Sequence, residues 1–84
     1  MHELSLATGI LEIVRQYVPI ERAPAVRAVR VRVGDLANVV PDSLAWCFSV
    51  IASDTAYVRA SLLIDPVAGQ ELQVADIELE EETP

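Results

Sequence analysis

The sequence predicts an α+β domain, a two-layer sandwich in which two helices pack on a three-stranded mixed sheet. Apolar residues recur at helical spacing in two segments and alternate with polar or small residues in three shorter segments. These segments follow one another in the order α-β-α-β-β, which favours helices on one face of a sheet. With 84 residues, of which 52% are hydrophobic, the chain is near the lower size limit for a single folded core.

The first helix is predicted over Leu4 to Val18 because apolar residues mark one face of this segment, and Pro19 ends it. Gly9 inside a helix costs about 1 kcal/mol relative to alanine, so we expect close packing at that position. A short loop through Pro24 follows. The predicted buried stripe consists of Ala7, Ile10, Leu11, Val14, Tyr17 and Val18.

The first strand and the second helix are the next two elements. Val26 to Val33 alternates valine with alanine and arginine, as a half-buried strand does, and Gly34 breaks it. Leu36 to Val40 is an irregular loop, and Pro41 suits the first position of a helix that ends at Ser53. The predicted buried stripe of this helix consists of Leu44, Cys47, Phe48 and Ile51.

Two more strands complete the predicted sheet. Ala60 to Ile64 and Leu72 to Leu79 form a hairpin through a turn at Asp65 to Gln70. In the last strand the apolar phase slips between Val74 and Ala75, which indicates either a bulge or a strand covered on both faces. This strand is a candidate exposed edge, and the short hinge before it favours a homodimer formed by strand exchange.

Composition and charge exclude several classes of protein. The net charge is −7 and all six basic residues are arginine, so the chain is not expected to bind nucleic acid. No apolar run reaches the roughly 18 residues that cross a bilayer, and no basic region precedes the first apolar residues, so neither a membrane span nor a secretory signal is expected. One cysteine excludes an internal disulfide and a cysteine-cluster zinc site, and the cytoplasm is the expected location. We interpret Arg22, Arg27, Arg30 and Arg32 as a solvated strand face, and residues 78–82 as a solubilising acidic tail.

The first three residues, Met1-His2-Glu3, form a candidate metal site. A bulky histidine at the second position should keep the initiator methionine in place. The α-amine of Met1, the backbone nitrogen of His2 and its imidazole then form two fused chelate rings. The fourth donor is the Glu3 amide nitrogen, the Glu3 carboxylate or water. Such nitrogen donors in a square plane favour Ni(II) or Cu(II). By themselves, the same residues also fit an exposed histidine without a role and a glutamate that interacts with the helix dipole.

Four blocks of sequence occur in order along the chain: Met1 to Ala7, Val33 to Leu36, Val40 to Leu44 and Gly69 to Glu78. Together they resemble the HypA/HybF family, the nickel-insertion accessory proteins of nickel–iron hydrogenase maturation. The resemblance implies a nickel-binding domain over residues 1–84, with Ni(II) held at Met1, His2 and Glu3. It also implies two partners, the nickel-handling GTPase HypB and the hydrogenase large subunit that receives the metal.

One departure from the family pattern is large. Members carry a small zinc domain with two CxxC pairs between the last two strands, whereas here Ile64-Asp65-Pro66-Val67 runs almost directly into Ala68-Gly69-Gln70. The zinc domain is therefore expected to be absent at the 65–70 turn, through an engineered deletion or in a natural short form. The alternative function is a metal-independent interaction or scaffold module that remains after loss of the zinc domain.

The remaining residues give no sign of catalysis. The sequence has no second histidine, no phosphate-binding loop and no carboxylate pair beside a base, so the chain is not expected to be an enzyme. Cys47 lies on the apolar stripe of the second helix and is expected to be a small buried hydrophobe. We also interpret four aromatic residues as packing residues: Tyr17, Trp46, Phe48 and Tyr57.

Overall fold

Two α-helices and three strands follow one another in the predicted order. The computed structural model describes residues 2–80, so Met1 and the acidic residues predicted beyond position 80 lie outside the described residues. The helices are α1 (His2–Tyr17) and α2 (Pro41–Ala52), and the strands are β1 (Val26–Gly34), β2 (Ser61–Val67) and β3 (Leu72–Leu79). A 3₁₀ helix, Ile20–Ala25, takes the place of the loop predicted after α1. Within residues 2–80, neither helix has the length and apolar character needed to cross a membrane.

The strand order of the sheet is β2-β1-β3, with β1 parallel to β2 and antiparallel to β3. The predicted α+β sandwich with a mixed sheet is confirmed, and β3 is an edge strand. The predicted hairpin of the last two strands is wrong, because these strands lie on opposite sides of β1. The central position belongs to the strand whose inner valines, Val26, Val29 and Val31, are completely buried.

One hydrophobic core joins the inner face of the sheet to both helices. The predicted stripe of α1 is buried from Ala7 to Val14, and Val18 is buried just beyond the end of the helix. The hydroxyl of Tyr57 donates a hydrogen bond to the carbonyl oxygen of Val18 at 2.7 Å, which fixes the end of α1 to the segment after α2. The largest completely buried side chains are Val14, Val26, Val29, Val31, Leu44 and Phe48.

Several predictions about individual residues are wrong. Gly9 is exposed, and a methyl group at this position would meet no atom within 4 Å, so Gly9 does not mediate close packing. Tyr17 and Trp46 are exposed to 74% and 68% instead of being packed. The buried face of α2 lies on the other side of the helix from Trp46 and consists of Leu44, Phe48 and Ala52. Cys47 and Ile51, which were predicted to belong to it, are half-buried.

The phase slip predicted in the last strand is a β-bulge at Ala75. Arg30 of β1 lies opposite Asp76, and Val31 lies opposite Val74, which leaves Ala75 without a partner in the register. The extra residue shifts the alternation so that Val74 and Ile77 both pack against the core. Of the two interpretations of the slip, the bulge is therefore the correct one.

The outer face of the sheet carries Arg27, Arg30 and Arg32, as the arginine pattern predicted. The prediction is wrong for Arg22, which lies in the 3₁₀ helix and not on the strand. Arg30 in β1 donates hydrogen bonds to Asp65 of β2 at 3.1 Å and to Glu78 of β3 at 3.4 Å, so it connects both edge strands. The charges of Asp65 and Glu78 hold the pKa of the Arg30 guanidinium above its ordinary value. Arg27 forms an ion pair with Glu80. Glu78 and Glu80 thus belong to the charge pairs of the sheet and not to a free acidic tail.

Backbone hydrogen bonds attach the connection between β2 and β3 to the end of β1. They run from the N–H groups of Gly34, Asp35 and Leu36 to the carbonyl oxygens of Glu71, Val67 and Gly69, at 2.6, 2.8 and 2.8 Å respectively. A Cβ atom on Gly34 would overlap the carbonyl of Gly69 and come within 2.8 Å of the Glu71 nitrogen. Only glycine therefore allows this close crossing of the chain. Because β2 continues to Val67, the connection is shorter than the turn predicted at 65–70.

Candidate metal site at the start of the first helix

The predicted metal-binding tripeptide coincides with the beginning of α1. His2 is the first residue of the helix, and its side chain is exposed. The N–H groups in the first turn of an α-helix have no carbonyl four residues earlier to bind. The backbone nitrogens of His2 and Glu3 are therefore available as metal donors without loss of a helical hydrogen bond. The α-amine of Met1, the third predicted donor, lies outside the described residues.

Glu3 lies in the first turn of α1 and contacts the beginning of α2. One oxygen of its half-buried carboxylate, Oε2, accepts a hydrogen bond from the backbone N–H of Val40 at 3.3 Å. Val40 is the N-cap of α2, and its own side chain provides no cap. The carboxylate of Glu3 gives the backbone N–H of this N-cap residue an acceptor, and it places negative charge near the positive end of the α2 dipole. The sequence predicted a favourable charge in the first turn of α1 but not this contact with α2.

A cleft of about 250 Å³ opens beside His2. Its lining comes from three parts of the chain: His2 and Leu6 of α1; Leu36, Ala37 and Val39 of the loop after β1; and Gln70 and Leu72 at the start of β3. The loop and the start of β3 meet here because the β2–β3 connection is hydrogen-bonded to the end of β1. Since a water molecule takes up about 30 Å³ in the liquid, the cleft has room for a metal ion and several waters.

The electrostatics at the start of α1 restrict which metal complexes fit. The N-terminus of a helix carries partial positive charge, which disfavours a bound cation. Deprotonated backbone amides reduce the net charge of a metal complex, and so does a carboxylate such as that of Glu3. The position therefore favours divalent metals that can displace amide protons, which agrees with the donor analysis for Ni(II) and Cu(II).

The side chains in the rest of the described structure do not form a conventional metal centre. Within residues 2–80, no group of three or more histidine, cysteine, aspartate or glutamate side chains is arranged to hold a metal ion. Cys47, which was expected to be a small buried hydrophobe, is half-buried and packs against the core. A metal at His2 would thus depend mainly on backbone nitrogens and one imidazole.

Sequence reasoning missed the far wall of the cleft. Gln70 and Leu36 are remote from His2 along the chain and reach it only through the crossing of the chain at the end of β1. The predicted hairpin gave no reason to place the β2–β3 connection near the N-terminus. No local motif in the sequence carries this information.

Comparison with known protein families matches residues 1–72 to the HypA family, described as hydrogenase/urease nickel incorporation metallochaperones. The matched segment begins at the candidate metal site and ends at the first residue of β3. It therefore contains both helices, β1, β2 and every residue that lines the cleft.

Curated relatives agree with this match. The hydrogenase maturation factor HypA of Desulfatibacillum aliphaticivorans is 43% identical over 70 residues, which is 80% of this chain and 52% of the relative. HypA of Streptomyces avermitilis is 41% identical over 71 residues, 83% of this chain and 54% of the relative. HypA of Desulfosudis oleivorans is 44% identical over 69 residues, 80% of this chain and 59% of the relative. The chain thus spans about half the length of the relatives it matches. These comparisons show that the chain belongs to the HypA family, whose members are metallochaperones and not enzymes.

Proposed function

We propose that this domain is a nickel metallochaperone that binds one Ni(II) at Met1, His2 and Glu3. The donors are the α-amine of Met1, the amide nitrogen and imidazole of His2, and the amide nitrogen or carboxylate of Glu3. The observation that carries the proposal is the position of His2 and Glu3 as the first two residues of α1, where their amide nitrogens have no helical partner. Membership of the HypA family supports nickel as the metal.

The bound nickel is cargo, and its destination is the hydrogenase large subunit. The description of the relatives as hydrogenase maturation factors supports this destination. The GTPase HypB acts as donor or co-chaperone, and the exchange takes place in the cytoplasm. A square-planar complex at an exposed His2 leaves both axial positions open, so a partner can replace the donors one at a time.

We also propose that residues 1–84 are a nickel-binding domain from which the zinc domain of the family is missing. One observation supports an insertion point in the β2–β3 connection. The ends of the connection, Val67 and Leu72, pair with the adjacent β1 residues Gly34 and Val33, so they already lie close together, as an inserted domain requires.

A metal-independent interaction or scaffold module is the second candidate. The hydrogen bond between Glu3 and Val40 favours it, because this contact gives Glu3 a structural task that needs no metal. The two candidates differ in whether the chain binds nickel in a stoichiometric way.

Calorimetric titration of the chain with Ni(II), with a free N-terminus, distinguishes them. We expect one Ni(II) per chain, and we expect His2→Ala and a variant with one residue added before Met1 each to lose this binding with an unchanged circular dichroism spectrum. Ser5→Ala is the matched control, because Ser5 is exposed in the same helix and supplies no proposed donor. Full binding by the extended variant would contradict the donor set, and no binding by the wild-type chain would favour the scaffold module.

A further inference from the structure

We propose that Gln70 is a positioning residue for the nickel site, whose side-chain oxygen accepts a hydrogen bond from the imidazole of His2 when the metal is bound. This inference rests on the proposed function, because it assigns a partner to the histidine that holds nickel. The evidence lies in the cleft that His2 and Gln70 share at the start of α1.

The geometry of the chelate determines which ring nitrogen needs a partner. The amide nitrogen and the Nδ1 atom of His2 close a six-membered ring with the metal, whereas Nε2 lies too far along the ring to join it. Nδ1 therefore binds the metal, and Nε2 carries the proton. Metal-bound histidines almost always donate this second N–H to a carboxylate, a carbonyl or water, which fixes the orientation of the ring.

Among the side chains that line the cleft with His2, one offers an acceptor. Of the described residues that line the cleft with His2, five are apolar: Leu6, Leu36, Ala37, Val39 and Leu72. Gln70 is the remaining one, and its amide offers a carbonyl oxygen. Both His2 and Gln70 are exposed, so neither side chain is committed to the core.

The backbone of Gln70 is held on both sides. Its neighbour Gly69 accepts a hydrogen bond from the N–H of Leu36 at 2.8 Å and donates one to the Asp35 carboxylate at 3.0 Å. Its other neighbour, Glu71, accepts a hydrogen bond from the N–H of Gly34 at 2.6 Å. Gln70 therefore projects from a fixed wall of the cleft, and positioning the imidazole requires the ordering of one side chain only.

The test measures Ni(II) binding by calorimetry in Gln70→Ala, Gln70→Glu and the control Gln73→Ala, all with a free N-terminus. Gln73 is an exposed glutamine in the same part of the chain that does not line the cleft. We expect Gln70→Ala to weaken nickel binding by about 10- to 100-fold, the usual effect of removing such a partner. Gln70→Glu should retain binding because it keeps an oxygen acceptor, and Gln73→Ala should match the wild type.

A second measurement separates positioning from a structural effect. Square-planar Ni(II) is diamagnetic, so the Nε2 proton of His2 is observable by NMR in the loaded protein. We expect this proton to exchange slowly in the wild type and in Gln70→Glu, and rapidly in Gln70→Ala. Suppose that the wild type binds nickel through His2, and that Gln70→Ala and Gln73→Ala have the same nickel affinity and the same rate of proton exchange. The role of Gln70 is then overturned, and the proposed function stands. If the wild type does not bind nickel, or His2→Ala binds it fully, the proposed function fails and the role of Gln70 fails with it.

Discussion

The carboxylate of Glu3 accepts a hydrogen bond from the backbone N–H of Val40, 3.3 Å away, and so joins the first turn of α1 to the N-cap of α2. The same short segment therefore supplies proposed metal donors and helps to fix the packing of the two helices. This arrangement holds the first turn of α1 against the second helix while His2, one residue earlier, stays exposed. A site built on a packed helix holds its donors more precisely than a site on a loop does.

Glu3→Ala should lower the free energy of unfolding by about 1 kcal/mol, the usual net contribution of one hydrogen bond. Glu3→Gln keeps an oxygen acceptor for Val40 and should cost less. We expect both variants to bind one Ni(II), since the Glu3 amide nitrogen remains. Urea denaturation measures the stability and calorimetry the binding. Equal destabilisation by the two variants would show that the charge of Glu3, and not its hydrogen bond, stabilises α2.

Gly34→Ala should destabilise the protein by about 1–3 kcal/mol, the usual cost of overpacking a site that cannot relax easily. The added Cβ would overlap backbone atoms of Gly69 and Glu71 and push the β2–β3 connection away from β1. Gly9→Ala is the matched control, because a Cβ there meets nothing within 4 Å and alanine favours the helix by about 1 kcal/mol. The melting temperature measured by thermal unfolding should therefore fall in Gly34→Ala and rise in Gly9→Ala. A higher melting temperature in Gly34→Ala would contradict the observed crossing of the chain.

Tyr57→Phe should lower the free energy of unfolding by about 1–3 kcal/mol, because it leaves the buried carbonyl of Val18 without its partner. Tyr17→Phe removes the same hydroxyl group from an exposed side chain and should change stability by less than about 0.5 kcal/mol. Chemical denaturation of the two variants compares these values directly. A neutral Tyr57→Phe would mean that water replaces the hydroxyl at Val18.

Nickel affinity should fall as the pH is lowered from about 8 to about 6. The metal must displace protons from the amine, the imidazole and the backbone amides before these nitrogens bind it, so a higher proton concentration weakens the complex. Calorimetric titrations with Ni(II) in buffers across this range measure the effect. An affinity that stays constant over the range would contradict nitrogen ligation.

This chain should bind nickel but should not by itself support full maturation of the hydrogenase. Its proposed donors are local to residues 1–3, so it should bind Ni(II) with the same stoichiometry as a version that carries the zinc domain of the family in the β2–β3 connection. It should nevertheless fail to restore full hydrogenase activity in a strain that lacks the accessory protein. Complete restoration by the 84-residue chain would show that the zinc domain is dispensable.

The sequence by itself determined the class of the fold and the order of its elements. Helical and alternating apolar patterns depend on which side of a helix or strand faces the core, and this information is local. For the same reason the start of α2 at Pro41 and the bulge at Ala75 were predictable from short segments. The proposed metal donors rest on the same kind of local information, since they belong to three consecutive residues, and they stay a prediction.

Only the tertiary structure decided how the strands are arranged and what surrounds the site. An alternating pattern describes the two faces of a strand but not its neighbours, so the sequence could not reveal that β1 separates β2 from β3. The central strand of the sheet is β1, whose inner valines are completely buried. That arrangement carries the β2–β3 connection across the end of β1 and brings Gln70 to the cleft beside His2. The contact between Glu3 and Val40 has the same origin, because residues far apart in sequence meet only through the packing of the complete core.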